Sequence, residues 1–133
     1  IVPSGTDAII RSYANVMQHG GGYFYHYEGY VVLTNTIDFE IYVGDSQSGL
    51  LFASIGHNGI ATVRAKRLAI VQQRGSNIGV WNQNQIIDEN TSGAGTWTFE
   101  EGSSGYQYLR VLKSSGTNGS SSYYNIWYIG GRH

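Results

Sequence analysis

Cysteine is absent from this chain, proline occurs once, and charged residues make up only 13% of its 133 positions. Without cysteine there is no disulfide framework, no thiolate metal site and no cysteine nucleophile, and the redox compartment leaves no mark on the sequence. The sparse charge is nearly balanced, eight Lys and Arg against nine Asp and Glu. Among the basic residues only Arg64, Lys66 and Arg67 stand close together, which argues against the basic patch that nucleic-acid phosphates require. No apolar run approaches the roughly 20 residues of a membrane-spanning helix, so no membrane insertion is expected. Ile1-Val2-Pro3 does not open a signal peptide, and the chain reads as a soluble fragment or a mature product.

What the chain does hold is aromatic and glycine-rich: 14% Phe, Trp and Tyr, with 19 glycines. It is too apolar to be disordered, and its length suits one domain over 1–133 with its own core. Period-two alternation dominates. Between Thr36 and Val43, Ile37, Phe39, Ile41 and Val43 fall on one face and Thr36, Asp38, Glu40 and Tyr42 on the other, the pattern of a half-buried strand. Further strands are predicted over 23–34, 50–55, 60–72, 78–87, 95–100, 106–113 and 122–129, separated by Gly, Ser and Asn clusters. Asn58-Gly59 predicts a tight hairpin turn, because both central residues of a primed turn need positive φ. Residues 1–22 read as a lead-in, irregular or helical: Asp7 suits an N-cap, and Ile9, Ile10, Tyr13, Val16 and Met17 have helical spacing up to Gln18. An irregular strand would use the same residues. The whole predicts an all-β antiparallel sandwich of jelly-roll type.

The stretch GGGYFYHYEGY, residues 20–30, carries the densest aromatic cluster. Alternation sets Tyr23, Tyr25 and Tyr27 on one face and Phe24, His26 and Glu28 on the other. We read it first as a strand at a core margin or subunit contact, and second as a sugar-stacking surface, since a tyrosine ring offers an apolar face with a polar rim. In Tyr123 to Ile129 both faces are apolar, which fits a strand at the sheet centre or at an interface. A third cluster, Trp81-Asn82-Gln83-Asn84-Gln85 followed by Trp97, joins amides that pair with vicinal hydroxyls to stacking rings. The candidate ligand-binding residues are therefore Trp81, Asn82, Asn84, Trp97 and Tyr106, with Tyr25 and Tyr27 behind them.

Catalytic patterns are weak. Asp88-Glu89 and Glu100-Glu101 are neighbours that strand geometry turns to opposite faces, and no spacing selects a pair of carboxyls the roughly 5 to 9.5 Å apart that glycoside hydrolysis needs. His19, His26, His57 and His133 show no metal spacing, and no glycine-rich stretch has the lysine of a phosphate loop. No enzyme activity is expected.

The hairpin segment Leu50 to Val63, LLFASIGHNGIATV, resembles the strand, Asn-Gly turn, strand units of bacteriophage tail fibres and tailspikes. The closing runs Gln107 to Thr117 and Tyr123 to Gly131 are similar to the last strands of tail-fibre receptor-binding heads. This resemblance covers about the second half of the chain and is one of style. It implies a trimeric, cofactor-free β-sandwich head on a virion tail that binds bacterial surface polysaccharide or another surface receptor. Two alternatives stand beside it: a secreted free-standing lectin, and a structural viral or filament subunit without a ligand.

Overall fold

The computed structural model describes residues 15–19, 22–44, 47–57, 59–74, 80–91 and 93–132. These form nine strands: β1 Asn15–His19, β2 Gly22–Val32, β3 Ile37–Tyr42, β4 Gln47–Gly56, β5 Arg64–Arg74, β6 Val80–Asn90, β7 Trp97–Gly102, β8 Gly105–Lys113 and β9 Ser121–Arg132. All pairings are antiparallel, in a six-stranded sheet ordered β1-β2-β9-β4-β5-β6 and a three-stranded sheet ordered β3-β8-β7. The sheets pack as the expected sandwich. Nesting of β2 with β9 and of β3 with β8 is the jelly-roll wrap, whereas β4, β5 and β6 continue one sheet as a meander.

Two local expectations change. Asn15–Gln18 pair with β2 as strand, so the suggested helix does not extend through them; residues 1–14 lie outside the described residues. Asn58-Gly59 is not a two-residue turn, because Gly56 pairs with Arg64 and leaves seven residues between the strands. His57 shapes that wider loop: its Nδ1 accepts from the Gly59 and Ile60 amides at 2.8 and 3.0 Å, and its Nε2 bonds Ser120 Oγ at 2.9 Å. Asn58 itself lies outside the described residues.

The core is filled by inward rows from both sheets. Ile37, Phe39, Ile41 and Val43 are buried as their alternation requires, and they meet Tyr25, Tyr27, Leu51, Ala53, Tyr124, Ile126 and Tyr128 from the larger sheet. Tyr23, Tyr25 and Tyr27 stack along β2 with centroids 5.7 and 6.1 Å apart, and Tyr27 tilts onto Phe39 at 5.1 Å. Such long inward rings need space opposite. Gly29 pairs with Tyr124, and a Cβ at Gly29 would lie 2.5 Å from the Tyr124 ring.

Polar groups tie the layers together. Tyr25 donates its hydroxyl to the Tyr42 carbonyl at 2.6 Å. Trp97 Nε1 donates to the Ala65 carbonyl at 3.1 Å, while buried Arg67 donates to the Trp97 carbonyl at 3.0 Å and lies over the Phe99 ring. Lys113 is also buried, and its ammonium donates to the carbonyls of Leu33, Asn35 and Ser114 at 2.8, 3.1 and 3.0 Å. Burial pushes its pKa down to about 8.

Gly29→Ala should destabilise the fold by about 1 to 3 kcal/mol through overpacking against Tyr124, read as a lower denaturant midpoint at unchanged slope. An unchanged midpoint would show that the ring has room to spare. Burial also pushes the Tyr25 and Tyr124 phenols up to about 12, and raises those of Tyr27 and Tyr128 as well. A raised folded-state pKa gives stability that is complete below the unfolded value of about 10 and is lost above it, at up to about 1.4 kcal/mol per pH unit for each phenol. The sheet signal in circular dichroism should therefore collapse cooperatively between pH 10 and 12, together with the last phenolate absorbance. Ionisation of every tyrosine with the sheet intact would contradict it.

Candidate functional site

Three of the residues expected to bind ligand are buried in the core. Trp97 is 0% exposed, with both ring edge and backbone engaged in the core. Tyr25 and Tyr27 are core side chains too. These three are corrected from ligand contacts to packing residues, because a ring enclosed on both faces offers none to a sugar. Trp81, Asn82 and Asn84 lie on edge strand β6, their backbones in register with Gln73, Gln72 and Ile70. Tyr106 lies on β8 of the other sheet. The side chains of these four lie outside the described residues.

The outer face of the three-stranded sheet gathers charges that no local spacing pairs. Asp38 receives Arg110 Nε and Nη2 at 2.9 and 2.7 Å, and Glu100 receives Nη1 at 3.2 Å. Glu40 accepts from the Ser103 hydroxyl at 2.7 Å and from the Ser103 and Ser104 amides. Partial burial works to raise the Glu40 pKa, but hydrogen bonds from Ser104 and Ser103 outweigh it and hold the carboxyl below its usual range. A general acid needs the opposite shift. A shallow hollow of about 350 Å³ beside this cluster is bordered by Thr36, Asp38 and Thr98.

The outer face of the six-stranded sheet is different in kind. Because Tyr25, Tyr27, Tyr124 and Tyr128 fill the core, the residues alternating with them on β2 and β9 must point away from it, and register aligns them in rows across the strands. One row runs Phe24, Ile129, Leu50, Ile70, and the next runs His26, Trp127, Phe52, Leu68, Ile87. Ile129, Ile70 and Leu50 are 53, 46 and 44% exposed. The His26 ring stacks on Trp127 at 3.7 Å, and its Nε2 reaches Asn125 Oδ1 at 2.8 Å and Glu28 Oε1 at 3.0 Å. A third row is polar: Glu28, Asn125, Ser54, Lys66, Glu89. Within it a hydrogen bond from Lys66, with Arg64 alongside, holds the Glu89 carboxyl below its usual range.

Beyond the polar row stand Tyr30 and Tyr123, in register, with ring centroids 4.9 Å apart and planes at 59°. They are 42 and 66% exposed. Strand β4 ends on Gly56 opposite Tyr123, so no side chain from it stands beside that ring, and Ser121 precedes Tyr123 by two residues on the same face. No protein-family model, curated protein or solved structure matches the chain. The two tyrosines belong to stretches whose aromatic density was plain in the sequence. Alternation even separated Tyr123, Trp127 and Ile129 from the inward set, but it could not say which set faces solvent when both are apolar.

Trp97→Ala tests the corrected placement. It should cost about 3 to 5 kcal/mol of stability, measured by chemical denaturation. A near-unchanged midpoint would return Trp97 to the surface.

Proposed function

We propose that this chain is a non-catalytic carbohydrate-recognition module, and that its sugar site is the Tyr30–Tyr123 end of the six-stranded sheet's outer face. The observation that carries the reading is the pair of exposed, adjacent phenol rings at the end of a rigid sheet. Rings set at an angle form an open V whose apolar walls take the C–H face of a pyranose, while their hydroxyls and the Ser121 hydroxyl serve sugar oxygens at the rim. A site on paired strands is held in place without a ligand, which lowers the ordering cost of binding. The charge cluster around Arg110 supports the non-catalytic part, since Asp38 and Glu100 are paired with its guanidinium and serine donors hold the Glu40 carboxyl below its usual range.

Bacterial surface polysaccharide is the ligand class that the tail-fibre resemblance implies, and the outside of a virion tail is the corresponding setting. A free-standing lectin would use the same two rings.

Tyr123→Ala should abolish glycan binding on an array of bacterial polysaccharides, with stability changed by less than about 1 kcal/mol because the ring is mostly exposed. Tyr30→Phe should weaken binding by a smaller factor, since it keeps the ring and loses one hydroxyl. Retention of full binding by Tyr123→Ala would remove the site from this end of the sheet.

A further inference from the structure

We propose that a second copy of this chain covers the apolar rows of the outer face, related to the first by a two-fold axis parallel to the strands and passing between β9 and β4. The three-stranded sheet covers only the inner face of its larger partner, so Phe24, Trp127, Phe52, Leu50, Ile129 and Ile70 lie on a face that no other described element packs against. Five strands at about 4.8 Å and three rows at about 6.8 Å make a patch of roughly 24 by 20 Å. With side-chain relief, two such patches bury on the order of 1,200 Å², the lower end of what a specific interface needs.

The order of residues within each row selects the partner and the axis. A two-fold parallel to the strands keeps each row at its own height and exchanges left for right, so β9 faces β4 of the other copy and β2 faces β5. Trp127 then lies over the partner's Phe52, Ile129 over the partner's Leu50, and Phe24 over the partner's Ile70. In the polar row Glu28 meets the partner's Lys66. On the β5–β6 side Arg64 and Lys66 share one carboxylate, Glu89, which leaves that side one positive charge in excess, and the β2 side carries Glu28. The face is thus complementary to itself in both apolar shape and charge, as an isologous contact must be. An axis across the strands would set the Glu28 row against the Ser48 and Gln72 row and match no charges.

This arrangement does not depend on the sugar reading, but it bears on it. Tyr30 and Tyr123 lie about 7 Å past the polar row, at the margin of the contact, and the axis places both copies' tyrosine pairs at the same end of the dimer.

The test is the solution mass of the full chain by light scattering across a dilution series, with charge-reversal variants. The expected mass is twice 14.6 kDa, about 29 kDa. Glu28→Lys and Lys66→Glu should each weaken dimerisation by about tenfold, and the double variant should return to within about threefold of the parent. The exposed positions and the rescue separate a lost contact from a lost fold. A mass near 44 kDa would overturn the two-fold in favour of a trimer. A monomer would overturn it as well, leaving the face to residues 1–14 or to a different protein, and a double variant no better than the singles would reject this axis. Glycan binding by a monomer would sink the dimer alone, and a dimer that binds no glycan would sink the sugar site alone.

Discussion

The stack of Tyr23, Tyr25 and Tyr27 sets the distance and the register at which the two sheets meet. Tyr25 spans the gap and ends on the Tyr42 carbonyl, and Tyr27 rests on Phe39, so the three-stranded sheet is positioned by rings growing from β2. Tyr124 and Tyr128 add to the same layer from β9, and Gly29 and Gly130 leave the room their rings occupy. This choice has a cost. The hydroxyls of Tyr27, Tyr124 and Tyr128 are buried without a hydrogen-bond partner among the described residues, and each such group forfeits about 1 to 3 kcal/mol of solvation. Dense packing of large rings offsets that loss, and a shift of one residue in β2 would exchange every tyrosine for Phe24, His26 and Glu28.

The same register decides the outside of the molecule. Once β2 and β9 commit Tyr25, Tyr27, Tyr124 and Tyr128 inward, His26 must stack on Trp127 on the outer face, and Tyr30 must stand beside Tyr123. The surface this sheet offers is therefore a consequence of core packing, since the core dictates which side chains the sheet presents. The small sheet reinforces this, because three strands are enough to close the core and too few to wrap around to the other face.

Much of the architecture was legible before any coordinates. Eight of the nine strands fall on the segments that alternation marked, because Ile37 to Val43 and its counterparts are half-buried strands whose period carries the signal. The site was harder to read. Trp97 looked like a stacking plate because a tryptophan after a polar run has the right chemistry for one; only the packing of β7 across the sandwich from β5, which brings its indole to Ala65, shows that it is core. Lys113 and Arg67 were invisible as interior residues for a related reason. Their burial depends on carbonyls contributed by distant segments, the turn at Leu33 and Asn35 in one case and Trp97 at the start of β7 in the other, and no local pattern reports those. Likewise the Asn-Gly dipeptide pointed to a tight turn, and the side chain of His57 beside it, capping two amides, favoured a wider one.

The apolar rows raise a question of stability as well as of partners. Leu50, Ile70 and Ile129 are about half exposed, so covering each gains roughly half of the about 1.5 to 3 kcal/mol of full burial, and an uncovered face forfeits a few kcal/mol that a second copy would recover. Soluble monomers rarely leave so large a contiguous patch open. A polar row with Glu28 at one end and Lys66 near the other gives such a face direction: it admits an antiparallel exchange of sides and penalises a partner slipped by one row, which would press Glu28 against Leu68. Hydrophobic area supplies the attraction, and the placement of a few charges supplies the geometry, which is how a flat apolar sheet avoids indiscriminate association.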